Sequence, residues 1–312
     1  MKRCLKSNKI KRVGFVITSS RPNAERVKKS IALLEKMGIE VWLSDLLDTY
    51  LEEHPHGYFT DPEYMRPEDR AEDLVQMLKF QPDLIVAATG GYGAGRLVSI
   101  LDGSTIKKYG VPFMGFSDPT FLVNLWAIYG VNAWVGPCAE EYEYLPRAIE
   151  IIEAQEPVRI HSNKMEFFGF KNSSFETQGL AAGSLTCLIT LASNPEFNLY
   201  FQQNISTFLM EDLFPADGYK DQGAKWSFEA ELDMVEVSGL SRKIFLWGSI
   251  SGVKNANDII KPRFRGRTPF VVNIPFGHEG GNYSCPIPVG SSILVSFDTV
   301  KKTILIHPPP SP

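Results

Sequence analysis

Asp83-Leu84-Ile85-Val86-Ala87-Ala88 runs directly into Thr89-Gly90-Gly91-Tyr92-Gly93-Ala94-Gly95-Arg96. The apolar run has no polar alternation, so it predicts a strand covered on both faces, as in a parallel sheet. The glycines after it predict a tight strand-to-helix turn, with a helix over Gly95–Leu101. Upstream, Val13–Thr18 reads as a short strand, and Ala24–Met37 spaces Val27, Ile31 and Leu34 as a helix that Gly38 stops before the strand Ile39–Leu43. A loop with His54-Pro55-His56 and a helix over Pro67–Phe80 then lead back to the opening run. Downstream come a strand over Val111–Phe116 and a helix over Pro119–Tyr129. Strands alternating with helices predict an α/β domain built on a parallel sheet.

The pattern changes near Glu140. A helix over Leu145–Ala154 is followed by Pro157 and a polar stretch with Asn163, Lys164 and Asn172-Ser173-Ser174, read as a connection between domains. Beyond it, short strands are expected at Phe208–Leu213, Lys243–Trp247, Phe270–Ile274, Ser292–Phe297 and Thr303–Ile306, punctuated by glycine and proline. The organisation expected is an N-terminal α/β domain over 1–150, a connection over 151–177 and a β-rich α/β domain over 178–312. The tail Pro308-Pro309-Pro310-Ser311-Pro312 cannot enter a sheet interior.

The 312 residues are 44% hydrophobic and 22% charged, an ordinary globular balance that excludes a disordered chain. A net charge of −4 gives no reason to expect a nucleic-acid partner. Cys4, Cys138, Cys187 and Cys285 are far apart, which argues against a disulfide framework or zinc knuckle and for a reducing cytoplasm. The basic N-terminus precedes the apolar Val13–Ile17, but that run is too short for a signal peptide and lacks a small-residue cleavage site. No apolar stretch approaches the roughly 18–20 residues that span a bilayer, so a soluble chain without a membrane partner is expected.

Gly115-Phe116-Ser117-Asp118-Pro119 lies between an apolar strand and a helix, where a nucleophile elbow sits. Such a turn lifts the serine hydroxyl clear of the sheet and points the next amide at the same spot. Asp118 as N-cap and Pro119 as first helical residue are the favoured reading of the helix start. Pro119 replaces the last glycine of G-x-S-x-G, so cap and nucleophile both stand as readings. The Gly90–Gly95 loop fits neither G-x-G-x-x-G nor the Walker pattern, and no nucleotide cofactor is expected. Its amides, Gly91 above all, could pair with that of Asp118 as an oxyanion hole.

A serine nucleophile needs a base. Of five histidines, His54 and His56 flank a proline, His161 lies in the connection and His307 opens the tail. His278, in Pro275-Phe276-Gly277-His278-Glu279-Gly280-Gly281-Asn282, is the candidate by elimination. Thr207-Phe208-Leu209-Met210-Glu211-Asp212-Leu213 offers two acids on a strand; neighbours face opposite sides, so only one can meet the imidazole. Ser104-Thr105-Ile106-Lys107 has S-x-x-K spacing but no companion K-T-G and reads as a surface loop. There is no H-E-x-x-H, and no catalytic metal is expected.

Together these residues resemble the LD-carboxypeptidase family of serine peptidases (muramoyltetrapeptide carboxypeptidases), which includes the microcin C immunity hydrolases. The carriers are Gly90-Gly91-Tyr92-Gly93 with Arg96-Leu97 and Leu101-Asp102; Gly115 to Thr120; Gly136-Pro137; Gly179-Leu180 through Gly183-Ser184-Leu185; Phe208 to Asp212; and Gly277-His278 with Asn282, Pro288 and Gly290. The resemblance implies a flavodoxin-like N-terminal domain with a β-rich C-terminal one, a homodimer, and a triad of Ser117, Glu211 and His278 that crosses between them. It also settles Glu211 over Asp212. Thr89 stands where carboxypeptidase members usually carry arginine, and Ala182-Gly183-Ser184-Leu185 replaces the usual G-G-N-L, which moves the expected substrate toward the immunity branch.

The reading is therefore a serine hydrolase that cleaves an amide near the C-terminus of a small peptide, foremost murein tetrapeptide losing D-alanine. The alternatives are hydrolysis of a peptidyl-nucleotide or acyl-sulfamoyl-adenylate amide, and a non-catalytic peptide-binding protein on the same scaffold.

Overall fold

A computed structural model describes residues 9–53, 65–214, 222–240, 242–278 and 285–309. The first half folds as β1 (Arg12–Val16), α1 (Ala24–Lys36), β2 (Glu40–Leu43), α2 (Asp45–Glu53), α3 (Pro67–Phe80), β3 (Leu84–Ala87), α4 (Ala94–Leu97), α5 (Gly103–Tyr109), β4 (Phe113–Gly115), α6 (Thr120–Ile128), β5 (Ala133–Val135) and α7 (Leu145–Ala154). Its strands pair in parallel in the order β2-β1-β3-β4-β5, the flavodoxin-like arrangement.

The apolar run at β3 is covered on both faces. Leu84, Val86 and Ala88 pack in one core with Val27 and Leu34 of α1, Leu47 of α2 and Ile149 of α7. Ile85 and Ala87 pack in the other with Leu74 of α3, Ile106 of α5 and Trp126 of α6. Each such aliphatic side chain contributes about 1.5–3 kcal/mol by leaving water, which is why an unbroken run suits this position.

The second half comprises β6 (Val158–His161), β7 (Glu166–Phe168), β8 (Ser174–Ser184), α8 (Leu185–Ala192), α9 (Pro195–Asn204), β9 (Thr207–Leu213), α10 (Gln222–Val237), β10 (Ile244–Ser251), α11 (Ala256–Phe264), β11 (Phe270–Val272), β12 (Ile287–Asp298) and β13 (Thr303–Ile306). β8, β9, β10 and β11 run parallel, with β7 antiparallel on β11. β12 joins the halves: Ile287–Val289 pair antiparallel with β5, and Gly290–Asp298 pair antiparallel with β8. Thirteen strands thus form one sheet among the described residues, and β5 and β8, both opposed to β12, point the same way. The C-terminal ends of both parallel sets therefore open on the same side, where ligands bind in α/β sheets.

Two local expectations are corrected, and the stretch read as a connection is seen in detail. Ser104-Thr105-Ile106-Lys107 is not a loop but lies in α5, whose start Asp102 caps by accepting from the Ser104 amide at 3.0 Å. The stretch 151–177 carries the end of α7, all of β6 and β7, and the first residues of β8. α2 occupies residues read as the approach to a loop; His54 and His56 lie outside the described residues.

Candidate active site

Ser117 follows β4 with φ +65°, a left-handed backbone that a side-chain-bearing residue adopts only at a cost of about 1–3 kcal/mol. The turn closes at once, with the Thr120 amide donating to the Ser117 carbonyl at 2.8 Å, and α6 begins. A hydroxyl on such a bend stands clear of the sheet, as a nucleophile elbow requires.

Asp118 does not cap α6, contrary to expectation. The helix starts after Pro119, and the Asp118 carboxylate turns the other way to accept from the Ala94 amide at 2.7 Å. The amides at the start of α4 and the Ser19 hydroxyl satisfy it there, although burial raises its pKa. Ser117 is thereby tied to the glycine-rich loop. A β-carbon at Gly90 would lie 3.0 Å from that of Ser117, and one at Gly91 would lie 2.2 Å from Ser20 Oγ, so only glycine lets the loop approach this closely. Neither the Gly91 nor the Asp118 amide donates to another group among the described residues, so both can donate to a group bound beside Ser117.

β9 carries Glu211 and Asp212 to opposite sides. Glu211 is fully buried, and its Oε2 accepts from the His278 ring through Nδ1 at 2.6 Å and from the His278 amide at 3.2 Å. The approach depends on Gly277, at φ +120°, where a β-carbon would lie 2.8 Å from Glu211 Cβ. It also depends on the irregular pairing of β10 opposite Glu211, between Trp247 and Ile250, where the Ser249 amide donates to Phe276 O at 2.8 Å. Burial alone would lower the His278 pKa; the hydrogen bond and charge of Glu211 outweigh it, and the net shift is upward. Burial raises Glu211 in turn, while the histidine pulls it back. With Nδ1 fixed on the carboxylate, Nε2 is the nitrogen left to act as base.

Ser117 and His278 line one cavity of about 720 Å³. The His278 ring packs 4.9 Å, centroid to centroid, from Phe116, the residue before the serine. No hydrogen bond joins the Ser117 hydroxyl to that ring among the described residues; contacts of this kind often tighten only in the substrate complex. Cys138 and Cys187 flank the same turn, their thiols directed at the Phe116 and Ser117 carbonyls. Burial holds both pKa values well above the usual thiol range, which makes them poor rivals to the serine.

On the cavity wall stand Thr89, Ser184 and Asp212, which sequence reasoning named without bringing them to one place, and Glu140, Glu141 and Thr186, which it did not single out. Thr89 donates to Glu140 at 2.5 Å, so this edge of the cavity carries a hydroxyl–carboxylate pair. Glu141 accepts from the Cys138 amide, and burial pushes its pKa up to about 7. Asp212 Oδ2 accepts from Ser184 Oγ, Thr186 N and Thr186 Oγ1 at 3.0, 2.7 and 2.8 Å, which secures the first turn of α8. Only the fold brings these groups together; no spacing in the chain announces them. His161 and His307 lie elsewhere, bonded to Lys302 O and Ser296 Oγ. Among the described residues no cluster of three or more His, Cys, Asp or Glu side chains could hold a metal ion, and no helix is long and apolar enough to cross a membrane.

Residues 13–136 match the family model of the LD-carboxypeptidase N-terminal domain. Over this stretch the chain is similar to LD-carboxypeptidase N-terminal domains. The matched stretch holds β1 to β5, the glycine-rich loop and Ser117; Glu211 and His278 lie beyond it. Over 116 residues the chain is 31% identical to a probable murein peptide carboxypeptidase of Bacillus subtilis (strain 168), a match covering 37% of this chain and 34% of that protein. The match thus spans about a third of the curated relative. Two solved structures extend the likeness past residue 136, at identities that speak for the fold alone. An MccF-like protein from Streptococcus pneumoniae, in complex with AMP, aligns with TM-score 0.70 and 17% identity over 96% of this chain and 99% of that one. A muramoyltetrapeptide carboxypeptidase from Oxalobacter formigenes aligns with TM-score 0.70 and 18% identity over 96% and 99%.

Proposed function

We propose that this chain is a serine hydrolase of the LD-carboxypeptidase type, cleaving the amide that holds the terminal D-alanine of murein tetrapeptide. One observation carries the reading: a serine on a left-handed turn shares a cavity with a histidine whose ring is fixed by a fully buried carboxylate. Ser117 Oγ attacks the scissile carbonyl while its proton passes to Nε2 of His278. Glu211 holds the ring and stabilises the imidazolium, and the Gly91 and Asp118 amides receive the oxyanion. Collapse of the tetrahedral species expels D-alanine, whose amine takes the proton from His278. Water then attacks the acyl-serine, gives its proton to the same nitrogen, and releases the shortened peptide as Ser117 is restored.

A second reading is hydrolysis of a peptidyl-nucleotide or acyl-sulfamoyl-adenylate amide. It is supported by the Thr89–Glu140 pair in place of arginine and by the likeness to a protein solved with AMP. Incubating the chain with both substrate types and weighing the products by mass spectrometry separates the two. Ser117→Ala should lower kcat by about 10⁶-fold, as removal of a triad serine does elsewhere. Near-normal turnover by that variant overturns the mechanism. Intact substrates with measurable peptide binding by the unmodified chain instead favour a non-catalytic binder. We place the enzyme in the reducing cytoplasm, consistent with free Cys138, Cys187 and Cys285, and expect a homodimer by family resemblance, which light scattering reads directly.

A further inference from the structure

Arg70 sits on α3, away from the residues that would touch substrate, yet it is only 5% exposed. A buried guanidinium is costly unless its donors are used. Here Nη1 donates to the carbonyls of Thr18 and Ser19 at 2.8 and 3.0 Å, in the loop that follows β1. The same guanidinium lies under the glycine-rich loop, where a β-carbon at Gly93 would meet Nη1 at 2.5 Å and Nη2 at 2.8 Å. Asp118 is its balancing charge and accepts from Ala94 and from Ser19. The next residue of the β1 loop completes the brace: Ser20 N donates to Gly90 O at 3.1 Å, and Ser20 Oγ accepts from Tyr92 N at 3.0 Å. Gly91 is therefore gripped on both flanks by Ser20, and Ser20 is held by the segment that Arg70 fixes.

We infer that Arg70 is a positioning residue: by locking the Thr18–Ser20 loop to the Gly90–Gly93 turn and to Asp118, it aims the Gly91 amide at the oxygen that becomes negative when Ser117 attacks. The inference rests on the hydrolase reading above. Its content is that a helix outside the reacting groups sets the geometry of the oxyanion hole. An amide aimed in advance stabilises the transition state without binding the ground state more tightly, so its loss should appear in kcat and not in KM.

The test uses the full chain with murein tetrapeptide, or with the acyl-sulfamoyl adenylate if that is the substrate cleaved, and three variants. Arg70→Met removes the fork and the charge, Arg70→Lys keeps the charge, and Ser20→Ala releases the Tyr92 amide while leaving Arg70 buried. Expected for Arg70→Met is a fall in kcat of about 10²-fold with KM within about twofold, since losing one oxyanion donor costs about 10²–10³. Arg70→Lys should recover part of that loss, and Ser20→Ala should lose about tenfold. A peptide boronic acid that forms a tetrahedral adduct on Ser117 should weaken in parallel with kcat, whereas substrate binding to the Ser117→Ala background should not change with Arg70→Met added. Wild-type kcat per correctly folded molecule in the Arg70 and Ser20 variants overturns the inference, as does an equal loss of substrate and boronate affinity. If Arg70→Met does not fold, Ser20→Ala alone decides on the same criteria. Turnover retained by Ser117→Ala would sink the underlying reading instead, so the two failures are distinguishable.

Discussion

Glu231 and Asp212 share a single hydroxyl: Thr186 Oγ1 lies 2.8 Å from Oε1 of Glu231 and 2.8 Å from Oδ2 of Asp212. A threonine has one hydrogen to give, and two carboxylates cannot both receive it. Asp212 also accepts from Ser184 Oγ and Thr186 N, so it is the more fully bonded acceptor of the two. Glu231 is then the carboxyl of the two that more readily takes a proton, and in that form it can donate to the threonine oxygen. Burial gives the same answer, because it pushes the Glu231 pKa up to about 7.

That proton sets a pH dependence of stability. In the unfolded chain Glu231 titrates near 4.5, and in the folded chain near 7, so between these values the folded state holds a proton that the unfolded state has lost. Stability should decline as pH rises through that window and level off above it. Glu141, pushed up to about 7 by burial, adds a slope of the same sign. Each contributes on the order of 1–3 kcal/mol after solvent screening is allowed for. Urea denaturation from pH 5 to 8 should show the decline, and Glu231→Gln should remove part of it. An unchanged slope in that variant contradicts the hydrogen count at Thr186.

Activity should rise with pH, because His278 must be neutral to accept the serine proton. Glu211 holds the imidazolium, so the acid limb of kcat/KM should fall above the ordinary histidine value of 6.5. Glu211→Gln takes away the charge that opposes burial. The His278 titration, followed by NMR of the ring protons, should then move below 6.5, with kcat down about 10⁴-fold. A titration that stays in place would mean that Glu211 does not govern the ring.

Gly277→Ala is a small change at a crowded point. Its φ of +120° resists a side chain, and the new methyl would sit 2.3 Å from Ser249 Oγ and 2.8 Å from Glu211 Cβ. We expect about 1–3 kcal/mol less stability. A displacement of His278 near 1 Å should lower kcat by about 10²-fold. Thermal melts and turnover on the same preparation check both figures, and full activity would show that the loop has another way to reach Glu211.

Ser117 offers a comparison free of catalysis. At φ +65° a β-carbon is strained, so Ser117→Gly should be about 1 kcal/mol more stable than Ser117→Ala although both are inactive. Equal melting temperatures for the two variants would mean that the turn carries no strain.

Much of this arrangement was readable from the chain, for identifiable reasons. β3 announced itself because a strand covered on both faces tolerates no polar interruption, and β13 fell on Thr303–Ile306 as expected. Ser117 was visible because glycine, serine and proline cluster where a strand gives way to a helix. β8 was hidden: its first half, Ser174-Phe175-Glu176-Thr177-Gln178, alternates like a surface segment, and its second half is broken by Gly179 and Gly183. Pattern alone offered both Glu211 and Asp212, and which of them faces the histidine depends on the pairing of β9 with β8 and β10. Arg70 was beyond reach altogether. A charged residue early in a helix reads as solvated, and the carbonyls it holds lie about fifty positions earlier.

β12 has a consequence for how the chain comes into being. β5, the last strand of the N-terminal parallel set, leaves one margin of hydrogen-bonding groups that, among the described residues, Ile287–Val289 completes about 150 positions later. On the ribosome, the early sheet must wait with that margin raw, an invitation to wrong partners from neighbouring nascent chains. Closure of the β5 margin is thus timed by the arrival of Ile287–Val289, long after Ser117 has been synthesised.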